Sequence, residues 1–166
     1  MFEMKIHSGW LAAALLLFAL LACNLGKNNN NANNSNKNSN ANKPAKAQPT
    51  RPANADVYVN RVYMAKDKNG QPGAETTSYD PADHTVHCII ELNKAKKGTE
   101  VRYIWRIVDA GGESDKEIKT TDYTTNSFEN KIHGHLQLPS DWPKGTYRVD
   151  VYINGNLDKT IDYTIG

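Results

Sequence analysis

Between Asn24 and Asn42, eleven of nineteen residues are asparagine, and Leu25 is the one large apolar side chain among them. Ordering a backbone costs about 1 to 2 kcal/mol per residue, and this tract holds nothing to bury that would offset the cost. Residues 23–56, including the Pro-containing stretch up to Pro52, therefore read as a disordered tether. As a random coil a tether of this length reaches about 30 Å. Its repeated lysines and its prolines oppose the aggregation to which asparagine-rich runs are prone. Whatever folds must lie beyond it, in the 110 residues from Val57 to Gly166.

That remainder is written in strand grammar, with short alternating runs of β-branched and aromatic residues between Gly, Pro, Asn and Asp clusters. In Thr146–Ile153, Tyr147, Val149, Val151 and Ile153 fall on one face, and Arg148 and Asp150 on the other, which predicts one buried and one wet side. Asn154-Gly155-Asn156 supplies residues that tolerate positive φ, and alternation resumes up to Ile165, so the chain ends in a β-hairpin. Val86, Cys88, Ile90 and Leu92 form another inward set. Val101, Tyr103, Trp105 and Ile107 form a third, after a turn at Lys97-Gly98-Thr99. Weaker runs at Val57–Ala65, Lys116–Thr121 and Phe128–Leu138 bring the count to seven strands with no helical period. The expected fold is all-β, a sandwich of two sheets.

Cys88 inward on the second strand, Trp105 inward on the third, and Gly145-Thr146-Tyr147-Arg148-Val149 with its tyrosine two residues before an inward position resemble the immunoglobulin-like family. The last motif is similar to the tyrosine corner of that family. Trp142-Pro143-Lys144-Gly145-Thr146-Tyr147 through Asn154-Gly155 resembles the end of Ig-like domains in bacterial envelope proteins of unassigned function. The resemblance implies a seven-stranded immunoglobulin-like β-sandwich over residues 57–166. An antibody-type second cysteine would fall at Val149, so no intersheet disulfide forms and Cys88 reads as a small buried hydrophobe.

At the other end, seventeen of the first 22 residues are apolar, and the run Trp10–Leu21 follows a segment carrying Lys5 and His7. Twelve residues are too few to cross about 30 Å of hydrocarbon, so the run reads as a secretory signal. Met4-Lys5 resembles a more typical signal start than Met1. Leu20-Leu21-Ala22-Cys23 is similar to the lipobox of bacterial lipoproteins, although leucine is less usual at its second position. The resemblance implies cleavage of residues 1–22 and lipid attachment at Cys23. Two or three acyl chains would anchor the protein durably, where one would not. The expected location is extracytoplasmic and lipid-anchored on a bacterial membrane. Asn24, beside the cysteine, is not the aspartate that favours inner-membrane retention, which leaves the outer membrane open as well as the inner; where no outer membrane exists, the site is the outer face of the cytoplasmic one.

The net charge of +2 divides along the same boundary. Residues 24–56 carry five Lys or Arg against one Asp, and residues 57–166 carry fourteen against sixteen Asp or Glu. The basic excess belongs to the tether, where it favours an anionic membrane surface. The domain lacks the lopsided basic footprint of a nucleic-acid binder.

No Gly-rich phosphate loop, GxSxG elbow, paired CxxC or HExxH occurs, which points away from an enzyme and from a bound cofactor. Adjacent strand positions face opposite sides, which separates outward His87 from inward Cys88 and removes a Cys/His nucleophile. Pairing of the second and fifth strands, as in immunoglobulin-like sheets, would bring His87, His133 and His135 onto one outer face. Three imidazoles there are candidate zinc or copper ligands, against the plainer reading of solvated surface. Asp67, Asp80 and Asp83 lack calcium-loop spacing and read as turn residues. Trp142, Tyr58, Tyr123 and Tyr152 are candidates for an aromatic platform, or else end-plug and face-covering side chains. The expected function is a non-enzymatic envelope protein displaying an interaction or accessory module to an envelope partner. The alternative is a lipoprotein that holds a metal or glycan at its outward histidines or aromatics.

Overall fold

The computed structural model describes residues 47–166, so the signal segment, Cys23 and the asparagine tract lie outside the described residues. All regular structure within them is β. The strands are β1 (Val59–Lys68), β2 (Gln71–Glu75), β3 (Ser78–Tyr79), β4 (Thr85–Leu92), β5 (Glu100–Ala110), β6 (Glu113–Thr124), β7 (Lys131–Gln137), β8 (Gly145–Ile153) and β9 (Asn156–Ile165). They form one sheet in the order β2-β1-β4-β7 and a second in the order β3-β9-β8-β5-β6. Every pairing is antiparallel except β3 with β9. β1, β4 and β7 opposed to β5, β8 and β9, with β6 added beside β5, is the immunoglobulin arrangement.

Nine strands replace the expected seven, and the two additions have local causes. β1 runs on to Lys68 and reverses at Asn69-Gly70, whose φ values of 56° and 80° suit a tight hairpin, so β2 folds back beside it. Pro72 and Gly73 disguise β2 in the sequence, and its position at the sheet edge tolerates the proline. β3 is a two-residue crossing to the other sheet, too short to show periodicity.

Between the sheets lies a continuous apolar core. Trp105 is fully buried, with Met64, Val86, Cys88 and Ile90 supplied by one sheet and Val149 and Val151 by the other. Cys88 is a free, buried thiol, and burial pushes its pKa far above the ordinary thiol range. On β7, Gly134 lies opposite Cys88, and a Cβ there would come within 3.1 Å of the Tyr103 ring. Tyr103 in turn donates a 3.2 Å hydrogen bond to the carbonyl of Ile132.

Two further expectations are corrected. Arg148 and Asp150, assigned to the wet side of β8, are 5% and 2% exposed. Asp150 sits under Arg106, and Arg148 pairs with Asp162, so ion pairs between neighbouring strands shield that outer face. Described residues before Val57, within the stretch that reads as tether, also pack on the domain. Thr50 exchanges backbone and side-chain hydrogen bonds with Leu157, and Arg51 pairs with Asp158 at 3.2 Å.

Candidate functional site

The outer face of the β2-β1-β4-β7 sheet gathers the histidines. On β7, Ile132, Gly134 and Leu136 turn inward and are buried, which leaves Lys131, His133, His135 and Gln137 on the outer side. The β4–β7 register sets His87 directly opposite His135, and Ile89 opposite His133. His87, His133 and His135 therefore meet on one face, with ring centroids 4.7, 6.0 and 5.7 Å apart for the pairs 87–133, 87–135 and 133–135. His87 Nδ1 lies 2.5 Å from His133 Nε2.

His87 faces outward as read from the sequence, but it is not solvated surface: it is 1% exposed. Its other ring nitrogen, Nε2, is 2.8 Å from Asp67 Oδ1. Asp67 stands at a register shift in β1 between Ala65 and Asp67, at the mouth of the β1–β2 hairpin. The backbone N–H of Gly70 donates to its carboxylate at 3.1 and 3.2 Å. The His87 hydrogen bond, followed by the Gly70 one, holds the Asp67 carboxyl below its ordinary range. An ionised carboxylate only accepts, so His87 Nε2 carries the proton and a neutral His87 presents Nδ1 as a lone pair. His133 is exposed at the surface, and partial desolvation, followed by the neighbouring His87 and His135, lowers its pKa.

Asp67 is the member of this group that sequence reasoning missed as a partner. The sequence reads it as a turn residue, which it also is. Its link to His87 depends on the β1–β4 register, in which Ala65 pairs with His87, and no local pattern encodes that. Asp80 and Asp83 pair with Lys66. As they stand, no three His, Cys, Asp or Glu side chains among the described residues are set around a common point suited to a metal ion.

The aromatic candidates divide. Trp142 is 2% exposed and packs edge-on against Tyr147 and Tyr163, so it plugs the end of the sandwich. Tyr58 lies under the Arg51 guanidinium. Tyr123 and Tyr152 both line a groove of about 540 Å³ on the other sheet, although the register sets Tyr123 opposite buried Val101 and Tyr152 opposite exposed Arg102, on opposite faces. Ile104 also lines it, as do Arg102 and Asp122, which are joined by two hydrogen bonds of 2.6 and 3.2 Å. Cys23 lies outside the described residues.

No protein-family model and no curated protein matches the chain. Among solved structures, an immunoglobulin-like protein from Pseudomonas aeruginosa is similar over 69% of this chain and 100% of its own, at 11% identity and a TM-score of 0.49. An alkylpurine DNA glycosylase from Pseudomonas fluorescens, bound to DNA containing an abasic-site analogue, is similar over 67% of this chain and 30% of its own. Its identity is 12% and its TM-score 0.43.

Proposed function

We propose that the chain is a lipid-anchored protein of the bacterial cell envelope whose immunoglobulin-like sandwich serves, without catalysis, as a displayed interaction module. The observation that carries this reading is the order of parts along the chain. A lipobox-like Leu20-Leu21-Ala22-Cys23 is followed by a tract that cannot bury a core, and then by a sandwich that starts to make contacts at Thr50. Residues 24–49, taken as a coil, would hold the domain about 25 to 30 Å from the lipid surface. The basic side chains of that stretch favour anionic headgroups.

The absence of catalysis is supported by the fate of Cys88, the cysteine of the domain. A thiol that is fully buried, with its pKa raised, is inert as a nucleophile. The partner is an envelope protein, reached by the sandwich from its tether.

Labelling cells with radioactive palmitate tests the anchor. The parent chain should take up label and sediment with membranes, and Cys23→Ser should do neither. An unlabelled parent, or a labelled Cys23→Ser variant, overturns the anchor. Crosslinking in intact envelopes tests the module: a discrete adduct with an envelope protein is expected. Its absence, together with turnover of an added envelope substrate, would overturn the non-catalytic reading.

A further inference from the structure

We propose that His87, His133 and His135 bind one borderline divalent cation of the zinc or copper(II) kind, with Asp67 as the positioning residue behind His87. The three imidazoles come from two hydrogen-bonded strands, so backbone register rather than loop conformation brings them together. Imidazoles bound at about 2.0 to 2.1 Å to one tetrahedral ion have ring centres about 5 Å apart. The observed separations of 4.7, 5.7 and 6.0 Å bracket that figure.

The second observation is independent of the clustering. A ligating histidine characteristically donates its remote N–H to a carboxylate, which fixes the tautomer and aims the other nitrogen at the metal. His87 has this arrangement: Nε2 against Asp67 and Nδ1 turned toward His133. Asp67 is itself held by the Gly70 N–H, so the orienting group is braced.

The nitrogens of His87 and His133 are 2.5 Å apart, closer than the roughly 3.3 Å that a shared tetrahedral ion imposes. Loading the site therefore requires those rings to part by under an ångström and His135 to swing a ring nitrogen in. Both His133 and His135 are exposed, which leaves room for that motion and a fourth coordination position facing solvent. Imidazole donors favour zinc and copper and are poor ligands for magnesium or calcium.

The test is titration of the full-length chain, purified in detergent, with zinc chloride or copper(II) chloride alone, followed by calorimetry and by metal analysis after dialysis. One equivalent of zinc or copper should be retained at micromolar supply, with no retention of calcium or magnesium. His133→Ala and His135→Ala should each weaken binding at least about tenfold, and Asp67→Asn by about 10- to 100-fold. Both β7 histidines are exposed, so these variants fold even if His87→Gln does not. Copper electron paramagnetic resonance should show one fewer nitrogen coupling in His135→Ala than in the parent, which a merely structural role for His135 would not produce. Failure to retain either metal, preference for calcium or magnesium, or undiminished binding by the His133→Ala/His135→Ala double variant overturns the proposal. None of these readouts depends on lipid attachment at Cys23.

Discussion

The Tyr147 hydroxyl donates a 2.6 Å hydrogen bond to the backbone carbonyl of Pro143, four residues upstream. The bond ties the start of β8 to the loop that leads into it, as in the tyrosine corner of immunoglobulin-like domains. The ring is 1% exposed, stacks on Tyr163 at 5.3 Å and meets Trp142 edge-on at 5.3 Å. Tyr147→Phe keeps this packing and removes only the hydroxyl. It should lower unfolding free energy by about 1 kcal/mol, seen as a lower denaturant midpoint with an unchanged slope. Tyr147→Ala should cost about 3 to 5 kcal/mol. Equal effects of the two substitutions would show that the hydrogen bond, not the packing, carries the corner.

Just before this tyrosine, Gly145 pairs with Ala110 at the end of β5. Its φ is +152°, and a Cβ would stand 2.2 Å from the Asp109 carbonyl oxygen and 2.5 Å from the Ala110 Cβ. The close approach of two backbones requires glycine here. Gly145→Ala should destabilise by roughly 2 to 4 kcal/mol. Gly155→Ala makes a useful contrast: its φ is +79° but no atom lies within 4 Å of the added carbon, so only backbone strain is incurred. If the two variants melt alike, the clash at Gly145 is relieved by movement of β5.

Much of the sandwich could be read from the chain because its signals are local. Alternation in Thr146–Ile153 assigned Tyr147, Val149, Val151 and Ile153 to the core, and all four are buried. Asn154-Gly155 forms the two-residue turn, with φ of 49° and 79°. What could not be read depends on neighbours across strands. A period of two says which face a side chain takes but not what covers that face, so the burial of His87, Arg148 and Asp150 was invisible. The His87–Asp67 contact needs two registers at once, β1 with β4 and β1 with β2. β2 itself was hidden by a Pro-Gly pair that normally argues against a strand.

Asp150 provides a pH signature. Burial raises its carboxyl above the ordinary range, opposed by Arg106 and Arg148 and reinforced by Asp162. Its Oδ2 is 3.1 Å from Arg106 Nε, while its buried Oδ1 has no hydrogen-bond partner among the described residues. For a carboxyl raised on folding, the unfolded chain releases its proton first as pH climbs past 3.8. The Asp150 contribution is therefore full below that pH and is lost as pH rises through the folded-state value. Asp150→Asn does not titrate. Its stability relative to the parent should move in its favour between acid and neutral pH, measured by denaturant unfolding across that range. A relative stability that moves in the parent's favour over the same range would mean that Arg106 and Arg148 outweigh the burial.

The proposed tether ends where Thr50 and Arg51 dock on β9. Arg51 is about one-third exposed, but the Asp158 side chain it pairs with is only 1% exposed, at a contact of 3.2 Å. Burial raises the Asp158 carboxyl and Arg51 draws it back down, while Asp158 Oδ2 has no hydrogen-bond partner among the described residues. Removing the arginine leaves the buried carboxylate to the Val59 backbone N–H and the Lys159 charge, without its guanidinium partner, so Arg51→Ala should cost about 1 to 3 kcal/mol. Asp158→Asn, added to Arg51→Ala, should restore part of that loss because the buried charge is gone, and a double-mutant cycle measures the coupling. Thr50 adds two hydrogen bonds to Leu157, so a fragment beginning at Val57 should unfold at lower denaturant than one beginning at Ala47. The same docking sets the free length of the proposed tether, because residues from Thr50 onward move with the domain. Limited proteolysis of the full chain should accordingly cut on the N-terminal side of Thr50 and spare Thr50–Asp56. Rapid cleavage within Thr50–Asp56 would move the boundary back to Val57.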